Sequence, residues 1–250
     1  MTDRLAEIAL SAGEAIMHVY DSMPEAEVKS DGSPVTAADK AAEGIILAGL
    51  EEYAPQIAVI SEENEESHRL SAPDRFFLVD PLDGTREFLR RDGKGSFTVN
   101  IALIENGEPV LGIVYAPALQ RLFTGTRRGG AAEASDGQTR TIAVRPVPAS
   151  GPVAVASRSH RDRQTDDWLK QQGISETVSI GSSLKFCLLA CGEADVYPRF
   201  GPTMEWDTAA GHAVLIAAGG YVTTPQNEPF AYGKPEFRNG PFIARTDRPV

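Results

Sequence analysis

Four apolar residues, Phe76-Phe77-Leu78-Val79, run straight into Asp80-Pro81-Leu82-Asp83-Gly84-Thr85. A short, fully apolar run reads as a buried strand. Its abrupt end on an acid means that the strand delivers charge at its C-terminal tip. Ile57 to Ile60 repeats the arrangement and stops at Ser61-Glu62-Glu63. A chain with two such strands has to build layers around them, with acids gathered at one edge.

The remaining pattern supplies those layers. Leu5, Ile8, Ala9, Ala12, Ile16 and Val19 keep helical spacing, which predicts an amphipathic helix over 3–20. Thr36-Ala37-Ala38-Asp39 has the form of a capping box and predicts a second helix that turns Ile45, Ile46 and Leu50 inward. Phe97, Val99, Ile101 and Leu103 alternate as in a strand. Asn106-Gly107 and the run from Val110 to Tyr115 complete a hairpin. The glycine-rich stretch 125–140 is expected to be a loop carrying a domain boundary, dividing the chain into 1–135 and 136–250. Beyond it, strands at 153–157, 177–180, 194–198 and 221–224 alternate with helices near 162–172, 183–191 and 208–218, an α/β pattern.

Composition narrows the partners. In 250 residues, 24 Lys and Arg face 35 Asp and Glu, a formal net charge of −11. Such a surface repels a nucleic-acid backbone, so no polynucleotide partner is expected. A small phosphorylated substrate still fits where a divalent cation supplies local positive charge. No apolar run approaches the roughly 20 residues of a membrane span, and the N-terminus lacks the plan of a signal peptide. Cys187 and Cys191 lie four apart in an apolar helical stretch and read as core packing. These features predict a reducing, cytoplasmic setting.

The candidate chemistry lies in three acidic clusters: Glu62-Glu63, Asp80 with Asp83, and Asp207 after Trp206. Magnesium prefers carboxylate oxygen, and an acid pair on a turn suits a two-metal site for phosphoryl transfer. Each residue also has a structural explanation. Asp83-Gly84 is a turn dipeptide, Asp207 is a suitable N-cap for a helix beginning at Thr208, and the glutamates suit a solvated loop. The combination favours chemistry. Asp83-Gly84-Thr85 enters a predicted helix, whose first backbone N–H groups suit a phosphate. The Thr85 hydroxyl, relayed to a carboxylate such as Asp39, can orient and deprotonate water; a capping role for Asp39 is the structural alternative. A phospho-aspartate mechanism of the haloacid-dehalogenase type requires Asp-x-Asp-Gly-Thr. The extra residue here, and the lack of a downstream Gly-Asp-x-x-x-Asp pair, set that class aside.

Taken together, Ser61-Glu62-Glu63, Asp80 to Thr85 and Trp206-Asp207-Thr208-Ala209-Ala210-Gly211 resemble the inositol monophosphatase superfamily of lithium-sensitive, magnesium-dependent phosphatases, over most of the chain. Gly181-Ser182-Ser183-Leu184-Lys185-Phe186-Cys187, Tyr197 to Thr203 and Ser157-Arg158-Ser159-His160 resemble its bacterial 3'(2'),5'-bisphosphate nucleotidase branch. The resemblance implies a layered α/β/α/β/α sandwich, an α/β (α+β) fold of the inositol monophosphatase and fructose-1,6-bisphosphatase type. Its two halves would meet at the metal site, with Asp207 coming from the second. It implies two to three Mg2+ ions on Glu62, Asp80, Asp83, Asp207 and the carbonyl of Leu82. Gly84 and Thr85 would hold the scissile phosphate, Thr85 with Asp39 would activate water, and Glu62 would share in both catalysis and substrate binding. Glu63 and Lys29 match positions near the metals. Lys185 is matched to the second, 5'-phosphate, with Ser182 and His160 nearby, although a lysine on an apolar helix also snorkels to solvent.

The implied activity is hydrolysis of adenosine 3',5'-bisphosphate to AMP and phosphate, clearing a by-product of sulfate assimilation. A relative acting on inositol or sugar monophosphates is the alternative. A non-catalytic sensor is disfavoured by the Thr85–Asp39 pair, which binding alone does not need. Monomer against homodimer, and peripheral association with the inner membrane, are open at this level.

Overall fold

The computed structural model describes residues 1–22, 26–28, 34–91, 94–157 and 162–247. Lys29, His160 and the Arg158-Ser159 pair fall outside that set. Two helices open the chain, α1 (Thr2–Asp21) and α2 (Ala37–Tyr53), with the short antiparallel strands β1 (Ala26–Val28) and β2 (Pro34–Thr36) between them. The expected capping box starts α2. Thr36 Oγ1 accepts from the N–H of Ala38, and Asp39 Oδ2 accepts from the N–H of Thr36 at 2.7 Å.

A seven-stranded sheet follows, in spatial and chain order β3 (Ala58–Ser61), β4 (Arg75–Asp83), β5 (Thr98–Glu105), β6 (Glu108–Ala116), β7 (Arg121–Thr126), β8 (Gly130–Ser135) and β9 (Gln138–Ile142). Strands β3 and β4 are parallel, and every later pair is antiparallel. Helix α3 (Thr85–Arg90) interrupts the chain after β4. Residues 125–140, expected as a loop, instead form β8 with the adjoining parts of β7 and β9, and this sheet runs on to Ile142. Gly125 is a packing residue rather than a breaker. A Cβ there would lie 2.5 Å from Cα of Val214, so its absence lets a helix lie directly on the sheet.

The second half contains β10 (Ala154–Ser157), α4 (Arg163–Gln171), β11 (Thr177–Ile180), α5 (Leu184–Ala190), β12 (Val196–Arg199), β13 (Thr203–Met204), α6 (Ala209–Ala217), β14 (Tyr221–Thr223), β15 (Arg238–Asn239) and β16 (Phe242–Arg245). Five of these strands form a mixed sheet in the order β11-β10-β12-β16-β14, and β13 pairs with β15. The expected elements of this half are present, with ends shifted by a residue or two.

Burial defines five layers. Phe77, Val79, Val99 and Ile101 pack against Leu5, Ile16, Ile46 and Leu50 of α1 and α2. The opposite face of the same sheet, with Phe76, Leu78 and Ile104, packs on Leu184, Phe186, Val214 and Leu215 of α5 and α6. Those helices also cover Val155, Tyr197 and Phe242 of the five-stranded sheet, whose outer face carries Leu169 of α4. The order is therefore α/β/α/β/α, as the resemblance implied. Strand alternation explains it, since neighbours such as Phe76 and Phe77 feed different cores. Among the described residues, no helix is long and apolar enough to cross a membrane.

Candidate metal and phosphate site

Asp80 and Asp83 reach one cleft through a defect in β4. Three steps from Asp80 to Asp83 are matched by only two on β5, from Asn100 to Thr98. On a regular strand, residues three apart point to opposite faces. The extra residue of this bulge restores the second acid to the side of the first. Gly84 then turns the chain at φ 93°, and a Cβ there would approach the carbonyl oxygen of Ser96 to 3.1 Å. That backbone and that space both call for glycine.

Oxygens of Glu62 at the end of β3, Asp80 of β4 and Asp207 before α6 lie within 4.8 Å of one another. Asp80 is 1% exposed, and one of its oxygens accepts from the Leu82 N–H at 3.0 Å. The other, Oδ2, is buried with no hydrogen-bond partner. Burial, then the charges of Glu62, Asp83 and Asp207, push the Asp80 carboxyl well above the usual carboxylate range. Burial and the same crowding raise Asp207, and burial lifts Asp83 to about 6. A closely packed, all-oxygen acid group with an orphaned buried carboxylate oxygen fits a hard divalent cation. Asp207 does not cap α6 as one expectation had it. Thr208 occupies the N-cap position, and Asp207 Oδ2 accepts from the Met204 N–H at 2.8 Å.

Asp39 was expected either to cap α2 or to pair with Thr85, and it does both. Its Oδ2 takes the cap contacts and the Thr36 hydroxyl, while Oδ1 accepts from Thr85 Oγ1 at 3.2 Å. The carbonyl of Leu82 offers Thr85 a second acceptor at the same distance. Since Thr85 has one hydroxyl proton, donation to Asp39 leaves its lone pairs facing the cleft.

The cleft is a cavity of about 400 Å3. Glu62, Asp80, Leu82, Asp83, Gly84, Thr85, Ser182, Lys185 and Asp207 all line it, and Asp39 reaches it through Thr85; Glu63 is not in the lining, and Lys29 and His160 lie outside the described residues. Lys185 does not snorkel. It is 4% exposed, donates to the carbonyl of Ser182, and sits 5.2 Å from the centre of the Tyr197 ring. Burial lowers its pKa to about 8, partly offset by Asp83. Ser182 holds φ at +54°, a left-handed conformation costly for serine, and the Lys185 ammonium anchors its carbonyl.

Sequence reasoning missed several contributors. Arg199 and Tyr197 line the wall beside Lys185, although both stand in a stretch already singled out. Ser183 donates to Asn100 Oδ1 at 2.5 Å and meets Thr98 Oγ1 at 3.0 Å, fastening α5 to β5 below Asp83. Ser183 also stands in a stretch already singled out, whereas the only sequence signal of Asn100 and Thr98 is polarity within an otherwise apolar run.

Residues 1–245 match the inositol monophosphatase family. This chain belongs to that family. The 3'(2'),5'-bisphosphate nucleotidase CysQ of Shigella flexneri is 49% identical over 235 residues, which cover 93% of this chain and 94% of that protein. The corresponding protein of Escherichia coli K12 is 48% identical over the same shares. Among solved structures, CysQ from Bacteroides thetaiotaomicron, a bacterial member of the inositol monophosphatase family, superposes with a TM-score of 0.83 at 38% identity. It covers 98% of this chain and 97% of its own. The family is metal-dependent, and the Glu62–Asp80–Asp207 cluster is able to hold a metal ion.

Proposed function

We propose that this chain is a magnesium-dependent 3'(2'),5'-bisphosphate nucleotidase, hydrolysing adenosine 3',5'-bisphosphate to AMP and phosphate. One observation carries the substrate assignment: a single cavity is lined both by the acidic cluster and by the cations Lys185 and Arg199. A ligand with two phosphates has use for both. The likeness to the bisphosphate nucleotidases over nearly the whole chain supports the same reading.

In this assignment Glu62, Asp80, Asp83, Asp207 and the Leu82 carbonyl hold two to three magnesium ions. Bound magnesium supplies Lewis acidity, neutralising phosphate charge and easing deprotonation of water. The protein orients the rest. Gly84 and the first turn of α3 present backbone N–H groups to the scissile phosphate. Thr85 aligns the attacking water for in-line displacement and takes its proton as the Thr85 hydroxyl proton passes to the Asp39 carboxylate. Glu62 contributes to the same water and phosphate. Lys185 and Ser182 hold the second phosphate at the far wall. The expected division at 135 falls inside the seven-stranded sheet, so we assign the first half as ending at Ile142, with β9, in a cytoplasmic enzyme of sulfur metabolism that is sensitive to lithium. It would work as a monomer or homodimer, and any membrane contact would be peripheral.

Phosphate release from adenosine 3',5'-bisphosphate should exceed that from inositol 1-phosphate, require magnesium and fall on addition of lithium. Lys185→Met should raise KM for the bisphosphate by about 10-fold or more, the value of a charge-assisted contact, and much less for a monophosphate. Preference for inositol phosphate would overturn the substrate, and no turnover of either ester would overturn the activity.

The raised carboxyl pKa values add a pH signature. Asp80, Asp83 and Asp207 have to lose protons to bind a cation, so protons and magnesium compete. With Asp83 at about 6, the magnesium concentration giving half-maximal thermal stabilisation should rise by about 10-fold or more between pH 7.5 and pH 5.5. A midpoint independent of pH over that range contradicts the ligand set.

A further inference from the structure

Glu62 and Asp207 come from different halves of the molecule and bring their carboxyl oxygens into one space. Some part of the protein has to hold them at their spacing. His68 is placed to do so. It lies in a single 3-10 turn, Ser67–Arg69, just beyond the acidic end of β3. Its Nε2 stands 2.8 Å from the carbonyl oxygen of Ser61, the residue before Glu62. Because a carbonyl only accepts, Nε2 carries the proton in this contact. The same imidazole lies flat on the indole of Trp206, the residue before Asp207, with ring centres 4.7 Å apart and planes 22° from parallel.

Both ends of this bridge are firmly seated. The Ser61 N–H donates to Ser67 Oγ at 3.1 Å, and its hydroxyl donates to Glu43 at 2.5 Å, tying the end of β3 to α2. Trp206 is 4% exposed and belongs to the core shared by α5, α6 and both large sheets, with Phe237 at 6.5 Å. One ring therefore touches the neighbour of a ligand from each half.

We infer that His68 is a positioning residue, a brace across the seam that sets the distance between Glu62 and Asp207 for cation binding. This rests on the metal-site assignment above. Ring stacking and one hydrogen bond to a backbone carbonyl suit the task, since together they fix the ring against both halves. Residues that orient ligands from outside the coordination sphere commonly matter nearly as much as the ligands.

The test compares wild type with His68→Ala, His68→Phe and His68→Gln. Phe keeps a flat ring over Trp206 without the donor, and Gln keeps a donor without the ring. Each protein is stripped with chelator and titrated with Mg2+, following the melting temperature, and KM and kcat are measured at saturating Mg2+. His68→Ala should raise the Mg2+ midpoint by about 10-fold or more. Phe and Gln should each fall between Ala and wild type, and saturating Mg2+ should restore most of kcat with KM little changed. Lower stability of the stripped Ala variant with a midpoint within about twofold of wild type means an ordinary packing role and overturns the brace. If Ala does not fold, wild-type midpoints in both Phe and Gln overturn it equally. Absence of any Mg2+ midpoint in wild type overturns the metal site itself, a result distinct from the others.

Discussion

Asp83→Asn should lower turnover of adenosine 3',5'-bisphosphate by about 10^3-fold or more, equivalent to ~4 kcal/mol of transition-state stabilisation, while the metal-free protein becomes no less stable. The two halves of that expectation share one cause. Burial lifts the Asp83 carboxyl to about 6, so the folded protein disfavours its ionised form. A carboxyl raised above its unfolded value contributes stability that is full below about pH 4. That contribution is lost as the pH climbs through about 6. Asn keeps the shape and removes the charge, so in chelator the variant should gain on wild type in melting temperature between pH 5 and pH 7. The difference between the two proteins cancels the other titrating groups. Added magnesium should reverse the order, because wild type gains a ligand that the variant lacks. Near-normal turnover in the variant would remove Asp83 from the metal site. A melting temperature below wild type in chelator at pH 7 would instead show that its charge is satisfied within the fold.

Thr85→Ala and Asp39→Asn should each cost about 10^2- to 10^4-fold in kcat, the range of a positioned proton acceptor, and the double variant should be little worse than either single one. Groups acting as one unit lose their effect together. Asp39→Asn carries a second signature. Asp39 Oδ2 also accepts from the Thr36 N–H, so α2 should lose up to about 1 kcal/mol of cap stabilisation, which Thr85→Ala leaves untouched. Thr85→Ser should recover most of the activity. Costs that simply multiply in the double variant would separate the two residues, and a normal kcat in Asp39→Asn would leave Asp39 as a cap alone.

Much of this was legible in the sequence because it is local. The capping box at Thr36, the Asn106-Gly107 hairpin and the apolar strands ending in acids depend on neighbours along the chain. Residues 125–140 were misread because glycine has two uses. Gly125 makes room for α6, a fact that belongs to the helix and not to the strand. The Asp136-Gly137 dipeptide, both residues at positive φ, carried the same turn signal as Asn106-Gly107. Lys185 illustrates the opposite limit. Its charge on an apolar helix allowed burial or snorkelling, and only the Tyr197 ring and the Ser182 carbonyl decide between them. His68, through Trp206, and the Ser183–Asn100 contact matter through partners far away in sequence, which no local pattern encodes. The β4 bulge was partly visible as one residue too many in a familiar acid motif, but its effect on facing needs the partner strand.

The sharing of Asp39 has a consequence for how the protein fails. In the assignment proposed above, the carboxylate that caps the first turn of α2 is also the proton acceptor. Fraying of α2 by a single turn draws Asp39 away from Thr85 while both large sheets remain whole. On that assignment the molecule has no frayed yet active form. Any opening that frees Asp39 would then end the chemistry even where the five layers stay folded.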